Sequence, residues 1–530
     1  MFLLHSKNSP AKHQTSSIGD LRRFIQRAST ALDNVDIARC ISNLMPVVSA
    51  PCTDDEIDKL QIKEEACLYL SVAVLQGLGR LDEAVLWWRE QNRIADAINR
   101  TYLRKRNFVH NSRNLCFGAF WSGNVGHLAL LGIHVKRNLL EGKPYRRLTL
   151  FRHPDPNAGN RFLVDHWKKY FTIAEQSNNL AFAPDHLGFG FKFLFLEDRL
   201  MGPEAYFWRA YSEISRAWEQ ASGGPLLELS EQEVQRGQQT LADMGIPRGA
   251  WYACLHVRSA GFKSVHERLQ DTLNADIATY VLAIDAIVKR GGWVIRMGDP
   301  SMPKLPARAG VVDYAHSPHK KNWMDIFLCA TCRFYVGTSS GLAYVPNLFG
   351  TPAVFTNWFP TGTRPLNGTD VFIPKMHWYD GQNDFAPFAE SLAPPLGHIH
   401  AKSTLRALGV SLEDNTREDL HDVVVEMLDR LEAKAVYTAE DEHIQARFDA
   451  VATYSRSFGN ARIGRDFIRK YRRLLPSAEA SGQPGICQTS EASSAQNLPK
   501  AMHAGTESSK QDNKPPPRYR DCYECKREAI

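Results

Sequence analysis

The chain has 530 residues, which is too long for one ordinary hydrophobic core and predicts about three folded units. Hydrophobic residues make up 43% of the composition and charged residues 23%, which excludes a fibrous repeat and a wholly disordered chain. The net charge of +6 is too small for this length to predict nucleic-acid binding, but it suits an anionic substrate. The ten scattered cysteines favour a reducing compartment, and no apolar run is long enough to predict a transmembrane segment. We expect a cytoplasmic protein, at most peripheral at the inner face of a membrane.

Residues 1–114 are predicted to be helical. Leu68, Leu75 and Leu78 recur at helical spacing before a glycine-containing turn, and Leu81 and Val85 continue the pattern after it. Such a hairpin is typical of tetratricopeptide-like (TPR-like) helix pairs, although stable arrays need about three repeats. Two interpretations remain open. The region is either a helical cap packed on the next domain or a surface for a protein partner.

Residues 115–230 and 231–400 are predicted to form two α/β lobes, because short apolar runs alternate with amphipathic helices there. This pattern is typical of parallel, doubly wound sheets, so we expect two Rossmann-like lobes that face a cleft. The predicted strands are Arg147–Phe151, Tyr252–Val257, Trp293–Arg296, Phe334–Val336 and Pro352–Phe355. The predicted helices of the second lobe include Asp276–Lys289, Trp323–Ala330 and Leu342–Phe349.

Residues 401–475 are predicted to be C-terminal helices, and residues 476–530 a disordered tail that lacks the apolar content to form a core. One of these helices, over Ala461–Leu475, is basic and amphipathic, which suits either an anionic lipid surface or a solvated face. Its cations are Arg469, Lys470, Arg472 and Arg473. The two Cys-x-x-Cys pairs lie too far apart along the chain for a zinc ribbon, so no metal site is predicted.

Polar clusters follow three successive predicted strands of the second lobe: His256 with Arg258, Arg296 with Asp299, and Gly337–Gly341. Ligands of open parallel sheets bind beyond the carboxyl ends of the strands. An arginine there can bind a diphosphate and an aspartate can accept hydrogen bonds from a ribose or a base, while a Gly- and Ser-rich turn favours an anion. A local ion pair for Arg258 and a plain turn carboxylate for Asp299 remain alternatives.

A fourth cluster lies at the first strand end of the first lobe and contains Gly123, Asn124, Gly126 and His127. We expect these residues to line the acceptor side of the cleft. The imidazole of His127 has an ordinary pKa near neutrality, so it is a candidate general base. The alternative is a histidine at a helix start that only positions a ligand.

The segments His256–Arg258, Arg296–Asp299 and Gly337–Gly341, together with Asp325, resemble a bacterial glycosyltransferase family. That family is related to the GT-B fucosyltransferase superfamily, which contains the protein O-fucosyltransferases and the α1,6-fucosyltransferases. The resemblance covers roughly residues 115–380. It implies a two-lobed GT-B fold and metal-independent, inverting transfer from a nucleotide-diphosphate sugar, with a GDP-sugar favoured. It implies no cofactor, and the sugar would pass to a glycan or protein hydroxyl.

The same resemblance implies roles for individual residues. Arg258 would hold the β-phosphate and act in catalysis with His127, while Asp299 would lie near the nucleoside. The donor-binding residues implied are His256, Arg258, Arg296, Asp299, Asp325, Thr338, Ser339, Ser340 and Gly341.

The spacing Asp-x-Asp, by which GT-A transferases hold a divalent cation, occurs nowhere in the chain. Cationic side chains and helix dipoles would therefore have to stabilise the leaving diphosphate. The sequence thus favours a metal-independent glycosyltransferase. The alternative function is a non-catalytic helical-repeat interaction protein with a degenerate sugar-nucleotide-binding module.

Overall fold

The computed structural model describes residues 17–53, 56–105, 114–143, 146–175, 207–260 and 267–476. Within these ranges the chain forms a group of N-terminal helices, a small parallel sheet, a large parallel sheet and a small antiparallel sheet. The predicted disordered tail lies outside the described residues, except for Pro476. No helix in these ranges combines the length and the apolar character needed to cross a membrane.

The N-terminal region is helical over its described residues, as predicted. The first helix begins with a capping box, in which Ser17 and Asp20 each accept a hydrogen bond from the other's backbone N–H. The helices are α1 (Ile18–Asp33), α2 (Ile37–Ser49), α3 (Ile57–Val72) and α4 (Leu81–Lys105), and α3 runs into one π-helical turn, Ala73–Gly77. Apolar side chains of α1, α2 and α3 form a buried cluster.

This helical group packs on a distant part of the chain. Ile399 is fully buried in the same cluster as the apolar faces of α1 and α2. The backbone N–H of His400 donates to the carbonyl of Gln76 (2.7 Å), and the hydroxyl of Thr404 donates to the carbonyl of Gly77 (2.8 Å). The helices therefore form a cap over residues 396–410, and Leu81, Val85 and Trp88 of α4 also share a buried cluster with Phe117 and Trp121 of the lobe that follows. A TPR-like relationship stays a prediction.

The first lobe contains a three-stranded parallel sheet. Its elements are β1 (Asn114–Phe117), α5 (Ala119–Ser122), α6 (Val125–Leu140), β2 (Arg147–Arg152), α7 (Arg161–His166), β3 (Phe171–Glu175) and α8 (Phe207–Gln220). The strand order is β1-β2-β3, with helices between consecutive strands. The described strands therefore make one βαβαβ half of the doubly wound lobe that the sequence predicts. Helix α6 is buried along most of its length, because it packs on its own lobe and on the second one.

The second lobe begins after a capping box at Ser230 and Glu233, as predicted. Its elements are α9 (Glu231–Asp243), β4 (Tyr252–His256), α10 (Val281–Lys289), β5 (Trp293–Arg296), β6 (Val311–Val312), α11 (Asn322–Thr331), β7 (Phe334–Gly337), β8 (Ala353–Trp358) and β9 (Val371–Pro374). Strands β4, β7 and β8 are buried at every position, because they lie inside the sheet with both faces covered.

The C-terminal region adds a small antiparallel sheet, several helices and one further strand. Its elements are β10 (Met376–Tyr379), β11 (Asp384–Phe385), α12 (Phe388–Ser391), α13 (Lys402–Ala407), β12 (Val410–Glu413), α14 (Arg417–Leu431), α15 (Ala439–Tyr454), β13 (Arg462–Ile463) and α16 (Arg465–Lys470). Strand β13 pairs in parallel with β9, so this region completes the large sheet. It is therefore not a set of separate helices.

The basic helix predicted over Ala461–Leu475 is wrong in its extent, because β13 and Gly464 precede a helix of only six residues. Two of its cations neutralise carboxylates inside the protein. Arg469 pairs with Asp441 (2.6 Å) and Lys470 with Asp419 (2.8 Å), and both carboxylates are almost fully buried. These ion pairs neutralise two of the four cations on which the lipid interpretation rests.

The large sheet is wholly parallel and has the order β13-β9-β8-β7-β4-β5-β6. The chain enters at β4, proceeds to the edge strand β6, returns to β7 on the other side of β4 and continues outward. Strands β4 and β7 therefore flank the point where the strand order reverses, which is where open sheets bind ligands. The doubly wound parallel sheet predicted for this lobe is confirmed.

Candidate functional site between the two lobes

A cavity of about 290 Å³ lies where the two lobes meet. The start of α6 lines it from the first lobe, and the segments that follow β4, β5 and β7 line it from the second. Because these three strands are neighbours in one parallel sheet, their carboxyl ends share one edge, as the sequence predicts. The predicted residues that line the cavity are Asn124, His256, Arg258, Asp299, Asp325, Ser340 and Gly341. Val125, Ser259 and Gly298, which lie within or next to the predicted clusters, also line it. The sequence does not predict the remaining lining residues, Gln270, Met302, Lys320 and Leu342.

His256 ends β4 and is largely buried, with 8% of its surface exposed. Its Nδ1 lies 3.3 Å from the hydroxyl of Ser340, and the tautomer decides which group donates. Burial, with the charges of Arg296 and Arg258, lowers the pKa of His256 to about 4. The ring is therefore neutral at neutral pH and has one N–H to donate.

Arg258 is fixed by its backbone as well as by its side chain. Its N–H donates to the hydroxyl of Thr338 (3.0 Å), and its carbonyl accepts from the N–H of Ala275 (3.0 Å). Its guanidinium donates from Nη2 to the amide oxygen of Gln270 (2.9 Å). Gln270 is neutral, and this contact orients the guanidinium at the cavity wall.

Lys320 is a second cation of the cavity wall. Its ammonium group donates to Asp325 (2.5 Å), and the hydroxyl of Tyr314 donates to the other oxygen of the same carboxylate (2.8 Å). Burial raises the pKa of Asp325, and the charge of Lys320 opposes that rise. Asp325 therefore holds Lys320 in place. Lys320 lies between β6 and α11, so a search confined to strand ends does not find it.

Asp299 lies in the turn that follows β5. Its Oδ1 accepts a hydrogen bond from the backbone N–H of Ser301 (2.9 Å), which forms a turn closed by the side chain. Its Oδ2 accepts no hydrogen bond from the described residues. This oxygen is therefore available to accept a hydroxyl or amine hydrogen from a ligand.

Three of the predicted donor-binding residues lie beneath the cavity instead of in its wall. Arg296 is 1% exposed and donates to Asp313 (2.9 Å), so it is a buried structural arginine. Thr338 is fully buried beneath Arg258, and Ser339 accepts a hydrogen bond from the backbone N–H of Phe359 (3.1 Å). None of these three residues is among the described residues that line the cavity, and their direct contact with a donor stays a prediction.

The segment after β7 forms two short 3₁₀ turns, Leu342–Tyr344 and Pro346–Phe349, in place of the predicted helix over Leu342–Phe349. Pro346 lacks the N–H that an α-helix needs at this position, which explains the break. A helix dipole is therefore not available from this side of the cavity.

The first lobe supplies a helix N-terminus instead. Asn124 caps α6 by accepting a hydrogen bond from the N–H of Gly126 (2.8 Å), and α6 is 16 residues long. Asn124 and Val125 line the cavity, so the start of this helix lies beside it. The dipole of this helix favours negative charge at its N-terminus.

His127 lies in the first turn of α6 and is half-buried, with its ring centroid 6.1 Å from that of Trp121. Neither His127 nor Gly123 is among the described residues that line the cavity. The structure therefore places both next to the site rather than in its wall. Within the described ranges, no group of three or more His, Cys, Asp or Glu side chains is placed to hold a metal ion.

No family model matches the sequence, and no curated protein matches it. Among solved structures, the chain is similar to a glycosyltransferase of family 9 from Veillonella parvula, at 9% identity, 49% coverage of this chain, 85% of that chain and a TM-score of 0.29. It is also similar to the ADP-heptose lipopolysaccharide heptosyltransferase II of E. coli, at 14% identity, 62% and 95% coverage and a TM-score of 0.26. A third is the iron-containing dodecameric glycosyltransferase TibC of enterotoxigenic E. coli, at 14% identity, 46% and 57% coverage and a TM-score of 0.25.

The description of the site and of its chemistry is based on the geometry of this chain and not on these similarities. The three proteins named are a family 9 transferase, a heptosyltransferase and TibC. The relationship to fucosyltransferases thus stays a prediction.

Proposed function

We propose that the protein is a glycosyltransferase that takes a sugar from a nucleotide-diphosphate donor without a bound metal ion. The observation that carries the proposal is that Arg258, Lys320 and the N-terminus of α6 meet at one cavity between two α/β lobes. A diphosphate suits this combination of groups, because Arg258 and Lys320, which Asp325 holds in place, can donate charged N–H groups to its oxygens beside a helix dipole.

The donor would lie along the carboxyl edge of the large sheet. Arg258 and Lys320 would bind the diphosphate, and neutral His256 with Ser340 would add hydrogen bonds beside it. Oδ2 of Asp299 would accept from the ribose or the base. A GDP-sugar is the favoured donor because of the sequence resemblance, and the cavity lining supports an anionic nucleotide of any base.

In the reaction, the acceptor oxygen bonds to the anomeric carbon as the bond from that carbon to the β-phosphate oxygen breaks. The electron pair of the broken bond leaves with the nucleoside diphosphate, where Arg258 meets the growing charge. The acceptor hydroxyl gives its proton to a base, for which His127, next to the cavity, is the candidate. Gly123, Asn124 and Gly126 would then border the acceptor, a glycan or protein hydroxyl, and attack from the opposite side inverts the anomeric centre.

The test is thermal unfolding of the full chain in EDTA with GDP-, UDP-, ADP- and CMP-sugars. A true donor at about 100 times its Kd should stabilise the fold by about 2.7 kcal/mol. We expect one of the four classes, GDP first, to raise the Tm without metal, and we expect Arg258→Ala to abolish the rise. Arg22→Ala, an exposed arginine of α1, is the matched control. Absence of any rise, or a rise that EDTA removes, contradicts the proposal.

A further inference from the structure

A second cavity lies away from the sheet edge and has a different lining. It measures about 810 Å³ and lies between α4, α8 and the turn that follows α15. Four of its lining residues are arginines: Arg89 from α4, Arg209 and Arg216 from α8, and Arg456 from the turn. We call this cavity the arginine groove.

The charges of the arginine groove do not balance. Asp82 pairs with Arg456 (2.6 Å) and Glu213 pairs with Arg209 (2.9 Å), and these are the two acids in the lining. Arg89 and Arg216 have no carboxylate partner among the described residues. The groove therefore carries two uncompensated positive charges, one on the α4 side and one on the α8 side.

One of these two arginines is held in a fixed position. The Nε and Nη2 of Arg216 both donate to the side-chain oxygen of Asn460 (3.2 and 2.9 Å). The amide nitrogen of Asn460 in turn donates to the carbonyls of Ser212 and Leu366 (both 2.7 Å). Asn460 is neutral, so it orients the guanidinium of Arg216 without neutralising its charge. Because the guanidinium is already fixed in position, binding an anion costs less conformational entropy.

The groove also has an apolar side. Leu86 is 56% exposed, and it projects from α4 between the positions of Asp82 and Arg89. Phe458 lines the groove as well, with the guanidinium of Arg209 5.6 Å from its ring centroid. Leu86 and Phe458 thus give the lining of the groove an apolar part that suits an apolar group.

We infer that the arginine groove binds a small phosphate monoester that carries an apolar group. The phosphate dianion matches the two uncompensated charges, and the apolar group matches Leu86 and Phe458. The volume is in the range of small-molecule sites, which is about 300–1,000 Å³. This site is separate from the cavity that Arg258 lines, and the inference does not depend on the proposed glycosyltransferase activity.

Titration calorimetry on the full chain tests the inference with three probes. Phenyl phosphate carries both features, inorganic phosphate lacks the ring, and benzenesulfonate keeps the ring but has a single charge. We expect phenyl phosphate to bind most tightly. The double variant Arg89→Gln/Arg216→Gln should weaken it about tenfold or more, because charge-assisted hydrogen bonds are lost. Leu86→Asn should reduce the preference for phenyl phosphate over inorganic phosphate.

Two controls separate the groove from other anion sites. Arg22→Gln removes the same charge from an exposed position on α1, and Arg258→Ala removes the cation of the cavity between the lobes. Both variants should bind phenyl phosphate as the wild type does. No binding by the wild type overturns the inference, and so does unchanged affinity in a double variant whose Tm is preserved. Loss of binding in Arg258→Ala would assign the anion to the other cavity and overturn it as well.

Discussion

Gly126 of the first lobe and Gly341 of the second lie backbone against backbone. A Cβ placed on Gly126 would be 2.7 Å from the Cα of Gly341, and one placed on Gly341 would be 3.0 Å from the nitrogen of Gly126. Gly341 has an ordinary φ of −61°, so the lack of space, and not an unusual backbone conformation, excludes a side chain here. The two lobes thus meet backbone against backbone beside the cavity that Gly341 lines.

Gly126→Ala should therefore weaken nucleotide-sugar binding and lower the Tm, because the new methyl group forces the lobes apart. Alanine is the better helix former by up to about 1 kcal/mol, so a loss of stability in α6 would come from the contact between the lobes. Gly224→Ala is the control, since nothing lies within 4 Å of its Cβ position. Equal behaviour of the two variants in calorimetry and thermal unfolding would show that the glycine contact does not matter.

Arg258→Ala should lower kcat by about 10²–10³, the usual cost of removing one preorganised donor from a developing anion. Arg258→Lys should be almost as impaired, because an ammonium group cannot reproduce the paired N–H groups of a guanidinium. Both variants keep the backbone hydrogen bond to Thr338, so the Tm should stay near that of the wild type. Turnover with the identified donor measures the effect, and near-normal turnover in Arg258→Ala would remove the residue from catalysis.

Arg296→Met should destabilise the fold and act on turnover only through folding. The ion pair between Arg296 and Asp313 is buried, with exposed side-chain fractions of 1% and 19%, and breaking such a pair typically costs about 3–5 kcal/mol. Arg308→Met breaks the more exposed pair with Asp285 and should cost about 0–1 kcal/mol. Urea unfolding compares the two. A loss of similar size in both variants would contradict the structural role of Arg296.

His256 should make the fold sensitive to acid. Its folded-state pKa of about 4 lies below the ordinary value of 6.5, so the unfolded chain binds a proton that the folded chain rejects. Stability from this residue is complete above pH 6.5 and is lost as the pH falls toward 4. Between pH 7.5 and 5 the wild type should therefore lose about 2 kcal/mol more than His256→Gln.

The comparison with His256→Gln is needed because other buried groups also titrate in this range. Burial lowers the pKa values of four more histidines in the same way: His134, His377, His398 and His400. Burial raises the pKa of Asp370 to about 7, and this group acts in the opposite direction. Denaturant unfolding of both proteins at each pH cancels these shared contributions. Parallel stability curves would show that His256 does not contribute.

The placement of the site could be predicted from the sequence because buried parallel strands appear as short apolar runs. The apolar run Tyr252–Val257 contains His256 near its end, and Arg258 follows it directly. His256 pairs with Gly337, so the cluster Gly337–Gly341 lies beside these two residues. The direction of each side chain could not be predicted, since the alternation along a strand does not tell which face meets the ligand. The strand that ends at Arg296 was predicted correctly, but the side chain of Arg296 points into the protein and is buried.

Lys320 could not be predicted for a different reason. It lies between β6 and α11, away from any strand end, and Asp325, five residues further along the chain, holds its ammonium group. The break at Pro346, by contrast, was visible in the sequence, because proline inside an apolar helical pattern interrupts it. The short span of α16 has a similar signal in Gly464.

The packing of the N-terminal helices on residues 396–410 has a consequence for synthesis of the protein. The ribosome completes α4 roughly 300 residues before it reaches the segment that covers α1 and α2. At a synthesis rate of about 5–20 residues per second, residues 396–410 emerge about 15–60 s after these helices. During this interval the apolar side chains of α1 and α2 lack the partner that buries them in the finished protein. Helices α1 and α2 are therefore synthesised well before the segment that buries them, and are among the last elements to reach their final environment.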